Sequence, residues 1–469
     1  MTPTKNIIKT LVIDFYPPHL REAIVRLGQD RIIEIKYWLI DGEGKYAGEE
    51  NMRASVFDKM WEEYLNGPRL DIPDHHYDIA RQYLYSFMNI DNRWNPSTEN
   101  CTYVHDFNAL FQTWYHIIQL NQIELMLMGN APHGPIPFMA YVVAKALGIK
   151  IIMTEQEWFE KDRFMCFRSL DMIGLDYLDV DFGRRNATAE MMGGFRKTPF
   201  YMEYIPDEIL DSGRFRILFT IKSWLRSGLL VSKMKKYNEI FVYKVLEKLG
   251  YRAIELYLDK RFRKYRNKQC RPYDPSKKFV YFPLHVQPEM TTDTLGGIYE
   301  DQLLAIERLD RILPNDYYIY VKENPAQTYY KRNKEFFDRL EAIPKAILVN
   351  PETNTYDLIE NAEFVATITG TAGWEAITAG KKCLCFGYAW YRSLAGVIRY
   401  TPEITFEDIS NYHFTKEDFD RSYDRFYRSL FPGIVAGDFF SNLKEDFSPD
   451  TNNAEVYYSL KTAIEHYDG

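Results

Sequence analysis

Three loops in this sequence gather residue types that handle phosphate and sugar. The first is VKENPAQ, residues 321–327, at the end of an aromatic and β-branched run. Lys322 can neutralise a phosphate or carboxylate, while Asn324 and Gln327 can contact a base or phosphate. Alternation along YIYVKEN sends residues 322 and 324 to one side of a strand, and Pro325 ends its ladder. The second loop is ITGTAGWEAITAG, residues 368–380, where Thr369, Gly370, Thr371 and Gly373 lead from an apolar run into a helical one. Small residues let a phosphate approach the backbone, and the open amides of a helix start attract an anion. Glu375, within the first turn, is placed to accept hydrogen bonds from ribose hydroxyls. A tight strand-to-helix turn with a first-turn acid accounts for the same residues equally well. The third loop is LHVQPE, residues 284–289, in which His285, Gln287 and Glu289 precede Thr291, Thr292 and the pair Gly296–Gly297.

The N-terminal half holds a second set. GNAPHGP follows the apolar IELMLM, and TEQEWFEKDRF follows IKIIM. His133 has an imidazole suited to base chemistry near neutral pH. Asn130, Glu155, Gln156 and Arg163 could line an acceptor pocket. Glu289 is the other candidate for catalytic base or nucleophile, and the sequence does not separate it from His133. Nothing reads as a metal cage, a nucleophile elbow or a Walker loop. The pattern expected is that of a transferase binding its nucleotide through amides and basic groups, with no metal and no other cofactor.

These loops need a frame, and the apolar patterning supplies one. From 277 to 387, KKFVYFPLHV, DYYIYVK, AILVN, FVATITG and KCLCFG read as strands. Between them YEDQLLAIERLDRI, QTYYKRNKEFFDRLEAI, NTYDLIENA and AGWEAITAG read as helices. Asn354 or Thr355 is a plausible cap, and Gly380 a plausible stop. Continuous apolar strands between amphipathic helices predict a parallel sheet covered on both faces, a Rossmann-like unit. The N-terminal half shows the same grammar in TLVIDF, PPHLREAIVRLG, RIIEIKYWLI, DFNALFQTWYHIIQL, IELMLM, FMAYVVAKALG and IKIIMTE. Loops at strand ends of parallel sheets share one side, so two such units predict a cleft between them. Between about 180 and 275 the alternation fails. There SKMKKYNEIFVYKVLEKLGYRAIELYLDKRFRKYRNK reads as basic helices, whose Lys/Arg run could face a membrane, an acceptor or only water.

Length and composition agree with this frame. A chain of 469 residues calls for two sizeable domains, and 46% hydrophobic residues suffice for their cores. The net charge of −8 argues against nonspecific nucleic-acid binding. Five scattered cysteines include Cys383 and Cys385, which alternate within one strand and read as reduced thiols of a cytoplasmic core. No apolar run is long enough to span a bilayer, which leaves room for a peripheral contact with the inner membrane.

YFPLHVQPE, YIYVKENP, PETNTYDLIENAEFVATITGTAGWEAITAGKKCLCFGYAWY and the upstream GNAPHGP with AKALGIK resemble the bacterial capsule-polysaccharide biosynthesis family. That family includes transferases that use CMP-activated Kdo, an eight-carbon ulosonic acid. The resemblance is strong over roughly 277–400 and weaker over about 123–165. It implies a metal-independent GT-B glycosyltransferase with an acceptor domain over 1–180 and a helical insertion over 181–275. A nucleotide-sugar domain over 276–440 and a helix over 441–469 crossing back to the first domain complete the scheme. It further implies a nucleotide donor, CMP-linked in the first instance, and an oligosaccharide or lipid-linked glycan acceptor. The family's KEHP is KENP here, so Asn324 replaces a histidine, and its His-Glu-Gly is His133-Gly134-Pro135. Transfer of another group, epimerisation of a nucleotide sugar, and an inactive glycan-binding or scaffolding role stay open at this point.

Overall fold

The computed structural model describes residues 7–15, 17–39, 65–67, 70–94, 100–157, 162–176, 180–182, 254, 256–436 and 447–467. Of the helical insertion expected over 181–275, residues 183–253 and 255 lie outside this set.

Two sheets carry the fold. The first is built from β1 (Ile8–Ile13), β2 (Ile33–Leu39), β3 (Leu125–Met128), β4 (Lys150–Gln156) and β5 (Arg163–Phe167). The second holds β6 (Lys278–Pro283), β7 (Tyr317–Lys322), β8 (Ala346–Leu348), β9 (Val365–Thr367), β10 (Cys383–Cys385) and β11 (Val397–Arg399). A short β12 (Phe431–Pro432) then pairs antiparallel with β5 in the first sheet. The chain thus returns to the first unit within the span expected for the second. The first sheet runs β12-β5-β4-β3-β1-β2 and the second β11-β10-β9-β6-β7-β8. All pairings in the second sheet are parallel, as are those joining β1 to β4 in the first. The strand order reverses between β1 and β3 in one sheet and between β6 and β9 in the other. In open α/β sheets, crevices form outside the strands' carboxyl ends at such reversals.

The helices follow local chemistry. In the first unit they are α1 (Pro18–Gln29), α2 (Asp74–Arg81), α3 (Leu84–Trp94), α4 (Asn100–Leu120) and α5 (Pro135–Leu147). Proline opens both α1 and α5, and Gly148, at φ 66, ends α5. The second unit has α6 (Met290–Asp293), α7 (Gln302–Ile312), α8 (Lys334–Glu341), α9 (Thr355–Asn361) and α10 (Thr371–Thr378). Asn354 caps α9 through the Tyr356 amide, and Gly380 follows α10 at φ 78. A capping box opens both α11 (Phe406–Asn411) and α12 (Lys416–Arg428). The last helix, α13 (Pro449–Glu465), packs on α1, where Asn453 bonds Glu22, Tyr457 bonds Asp30 and Arg26 stacks on the Tyr457 ring.

The helix expected over QTYYKRNKEFFDRLEAI begins only at Lys334, capped by Asn333. Residues 328–333 form a loop instead, with Lys331 at φ 54, because Arg332 turns inward to an ion pair with Glu323. That tertiary bond overrides local helix propensity.

One apolar core joins the two units. Leu170 and Ile173 of the first pack in the same cluster as Met290, Leu295, Trp374 and Tyr391 of the second. Arg392 reinforces the seam by donating to the Ile173 carbonyl at 2.6 Å. Among the described residues, no helix is long and apolar enough to cross a membrane.

Candidate functional site

A cavity of about 300 Å³ opens at the carboxyl ends of β6, β7 and β9, where the second sheet reverses its order. Its walls come from the loops after β6, β7 and β8 and from the start of α10. Three of the loops singled out by sequence therefore meet, with 351–356 as a fourth wall.

Lys322 ends β7. Strand alternation sends Val321 into the core and Lys322 to the opposite side, where its ammonium donates to the Thr353 carbonyl at 2.6 Å and to the Thr355 hydroxyl at 2.8 Å. Burial pushes its pKa down, opposed by Glu352 and Glu375. Glu375, expected in the first turn, is the fifth residue of α10, since the helix starts only at Thr371, and it faces the same cavity. Burial raises its carboxyl to about 7, opposed by the Tyr356 hydroxyl and by Lys322. A site holding a desolvated lysine and a carboxyl that ionises near neutrality has its charges set by what binds beside them.

His285 follows β6. Its Nε2 accepts the Thr369 amide at 3.2 Å, so the proton sits on Nδ1. Burial, helped by the nearby Arg332 charge, lowers its pKa to about 4 and keeps the ring neutral. The approach requires Gly370, whose Cβ would stand 2.7 Å from that Nε2. Gly370 also precedes α10 without a side-chain cap, leaving the first amides of the helix toward the cavity wall formed by Thr371 and Ala372. Gly373 has a different reason. A Cβ there would lie 2.2 Å from the Tyr391 hydroxyl and 2.7 Å from Cys383, so Gly373 serves helix-to-sheet packing. Thr369 lies outside the cavity lining and bonds the Thr291 carbonyl at 2.7 Å.

Behind the cavity stands a buried polar scaffold. Gln287 accepts from Arg332 at 3.1 Å and from Gln302 at 2.8 Å, and donates to the Glu300 carbonyl. Gln327 takes the Gln287 amide at 2.8 Å. Arg332 closes on Glu323 at 2.8 Å with both side chains at most 1% exposed. Gln287, expected at the donor, thus sits in this scaffold, and Glu289 caps the one-turn helix α6 with its carbonyl. Asn324 lines the cavity, but its carboxamide oxygen is engaged by the Ala326 amide at 2.9 Å.

The first sheet presents its own carboxyl edge. His133 holds the Ala131 carbonyl through Nδ1 at 2.7 Å, which leaves Nε2 as the acceptor nitrogen. Glu155 is drawn to the same loop by the Ala131 amide and faces His133. Burial raises its pKa, opposed by that imidazole. The sequence placed these two residues on separate strand ends, and the structure brings them together. Asn130 is half-buried in the same loop. Arg163 points elsewhere, to the Leu430 carbonyl at 3.2 Å and the Tyr427 ring. The sequence reading passed over Asp14 and Phe15, which follow β1 at φ 66 and 59. A Cβ on neighbouring Gly129 would stand 3.1 Å from Asp14 Cβ. Left-handed backbone at two non-glycine residues beside a sheet reversal is the kind of strain that functional edges hold. The two edges touch where Thr294 donates to the Pro132 carbonyl at 3.4 Å.

Two Rossmann-like units sharing one core, with a ligand-sized crevice at a sheet reversal, make this an α/β protein of the GT-B arrangement. Residues 220–409 match the model of a family described as capsule polysaccharide biosynthesis proteins. Among solved structures, similarity extends to Thermosulfurimonas dismutans KpsC, beta Kdo 2,7 transferase, at 13% identity and a TM-score of 0.30, covering 66% of this chain and 79% of that one. It extends also to UDP-GlcNAc 2-epimerase from Methanocaldococcus jannaschii, at 15% identity and a TM-score of 0.22, covering 98% and 99%. Scores this low carry no functional weight. None of the curated proteins matches the chain.

Proposed function

We propose that the protein is a glycosyltransferase of capsule polysaccharide synthesis, drawing on a nucleotide-activated sugar, with a CMP-linked, Kdo-like ulosonic acid as the favoured donor. The observation that carries this reading is the convergence of Lys322, Glu375 and the uncapped start of α10 on one crevice at the sheet reversal. The α10 amides and the Lys322 ammonium take the donor phosphate, and their charge stabilises the phosphate as it departs. Glu375 accepts from ribose hydroxyls, and the neutral His285 holds the Thr369–Gly370 turn in shape. Asn324 adds a neutral contact. These groups do the work of a metal, so none is needed.

Across the cleft, His133 is the better candidate for the base than Glu289, because Nδ1 fixes its ring on the Ala131 carbonyl and Glu155 faces it. It takes the proton of the attacking acceptor hydroxyl as the bond to the sugar forms and the donor phosphate leaves. Glu155 then stabilises the imidazolium, and Asn130 helps hold the acceptor glycan, free or lipid-linked. The work is cytoplasmic, with a peripheral contact at the inner membrane.

Thermal melting with CMP, CDP and UDP tests the donor class, and product analysis with and without acceptor tests the reaction. The reading expects stabilisation by CMP above the others and consumption of donor only when acceptor is present. No stabilisation by any nucleotide would overturn it, and donor altered without acceptor would make the protein an epimerase.

A further inference from the structure

The stretch after residue 255 forms a helix over 256–269 that lies against the second unit. Phe262 is buried, with its ring 6.1 Å from that of Phe337, and Leu258, Tyr265, Arg266 and Gln269 are half-buried along the same face. That spacing is one side of an α-helix. The opposite side is left to solvent and is cationic along its length. Between 256 and 271 stand seven basic residues and one acid, Asp259, in a chain whose net charge is −8. The acid does not face out: its Oδ1 takes the Tyr329 amide at 3.0 Å. Lys260, Arg261, Arg263, Lys264 and Lys268 are all exposed.

A solvated helix would account for the charges alone. It does not account for Ile254, Leu256 and Tyr257 at the start of the same stretch, which are 55%, 53% and 59% exposed. Cationic side chains beside exposed aliphatic and aromatic ones are what a helix lying in a lipid interface needs. The charges meet anionic headgroups, the apolar groups enter the acyl boundary, and neither signal alone anchors stably. A soluble polyanion would use the charges and leave three apolar groups in water.

We infer that the outward face of the 256–269 helix, with Ile254, docks on a bilayer containing anionic lipid. This locates the membrane contact named in the proposed function and does not involve the donor crevice, so nucleotide melting and vesicle binding fail separately.

The test is sedimentation of the intact chain with vesicles of phosphatidylcholine alone or with phosphatidylglycerol, across a salt titration. Binding is expected only with phosphatidylglycerol and is expected to fall as salt rises. The variant Lys260→Glu/Arg263→Glu/Lys264→Glu should partition at least roughly five-fold more weakly for each charge changed. These three side chains make no hydrogen bond or ion pair among the described residues, so melting should be unchanged. Leu256→Ser/Tyr257→Ser should weaken binding while keeping its salt dependence. Failure of the wild type to bind anionic vesicles, or undiminished binding by the charge variant, would overturn the inference. So would an unaffected Leu256→Ser/Tyr257→Ser variant whose binding soluble heparin abolishes, since the partner would then be a polyanion and not a bilayer. If a variant melts early, the salt titration and the neutral vesicles, run on the unaltered protein, decide the question.

Discussion

The carboxyl edges of the two sheets are built in contrasting ways. At the second sheet, the crevice is backed by Gln287, Gln302, Gln327, Arg332 and Glu323, whose polar groups satisfy one another out of water. At the first, His133 is exposed, Glu155 Oε2 is buried without a hydrogen-bond partner among the described residues, and Asp14 and Phe15 hold left-handed backbone. Orphaned polar atoms stand at both edges, since His285 Nδ1 and Glu300 Oε2 are also buried without a hydrogen-bond partner among the described residues. The second edge is a mould set by its closed scaffold, and the first is set apart by its left-handed backbone. In the proposed reaction the mould holds the donor, and the first edge receives an acceptor and moves a proton.

The largest effects should separate the edges by kind. Lys322→Ala and His133→Ala should each lower turnover by about 10²–10⁴-fold, the range for losing a charge-stabilising group or a general base. Only Lys322→Ala should also weaken nucleotide binding, measured by calorimetry. Equal loss of nucleotide affinity in both variants would erase the division of labour drawn between the sheets.

Next comes the mould itself. Arg332→Leu leaves Glu323 buried without its cation, and removing one partner of a buried pair costs about 3–5 kcal/mol. Urea unfolding should show a loss of that order. Replacing Glu155 by Gln on the other edge should change stability far less, because its Oε2 has no partner to lose. If the two substitutions cost the same, the second edge is no better built than the first.

Much of this contrast could be read from the sequence, and the part that could not has a common cause. The strands were legible because their apolar runs are continuous, as in FVATITG and KCLCFG, and Asn354 and Gly380 act on neighbours within a turn. Lys322 was legible because strand parity and Pro325 place it. Arg332 was not: its loop reads as a helix, and only the distant Glu323 holds it out of one. Gly373 looked like Gly370, yet one clears Tyr391 and the other His285, which depends on what packs opposite. The strain at Asp14 and Phe15 left no trace in residue type. Wherever the deciding contact was long-range, local pattern was silent.

A smaller effect sits within the crevice. Glu375, raised to about 7 from an ordinary 4.5, is protonated in the folded protein over a pH range where the unfolded chain has lost that proton. The folded state therefore binds more protons between those values, and this group's contribution to stability falls as pH rises through them. Glu375→Gln should flatten the decline. If the carboxylate is the form that accepts from ribose, donor affinity should rise as pH passes about 7 in the wild type and not in Glu375→Gln. Glu375→Ala should cost about 1–3 kcal/mol of donor binding, the range for unpairing a charged hydrogen bond. Unchanged donor affinity would leave Glu375 as no more than an acid one turn into α10.

The smallest effect expected concerns Asn324, two residues beyond Lys322 on the same crevice. Lys322 brings a charge out of a desolvated site, whereas Asn324 brings a neutral amide whose oxygen is already engaged by the Ala326 backbone. A charged hydrogen bond is roughly twice as strong as a neutral one. Losing the Asn324 side chain forfeits at most one neutral bond to the donor, about 1 kcal/mol, together with the turn it helps to shape. Asn324→Ala should therefore lower turnover about five-fold, against the far larger loss at Lys322. Asn324→His tests the same point from the other side. A histidine restores a second potential cation beside Lys322, and tighter binding of CMP at pH 6 than at pH 8 should appear in that variant as the imidazole charges. Should Asn324→Ala prove the more damaging change, Asn324 is reading the donor itself, and the phosphate-centred account of the crevice gives way to one in which the amide selects the nucleotide.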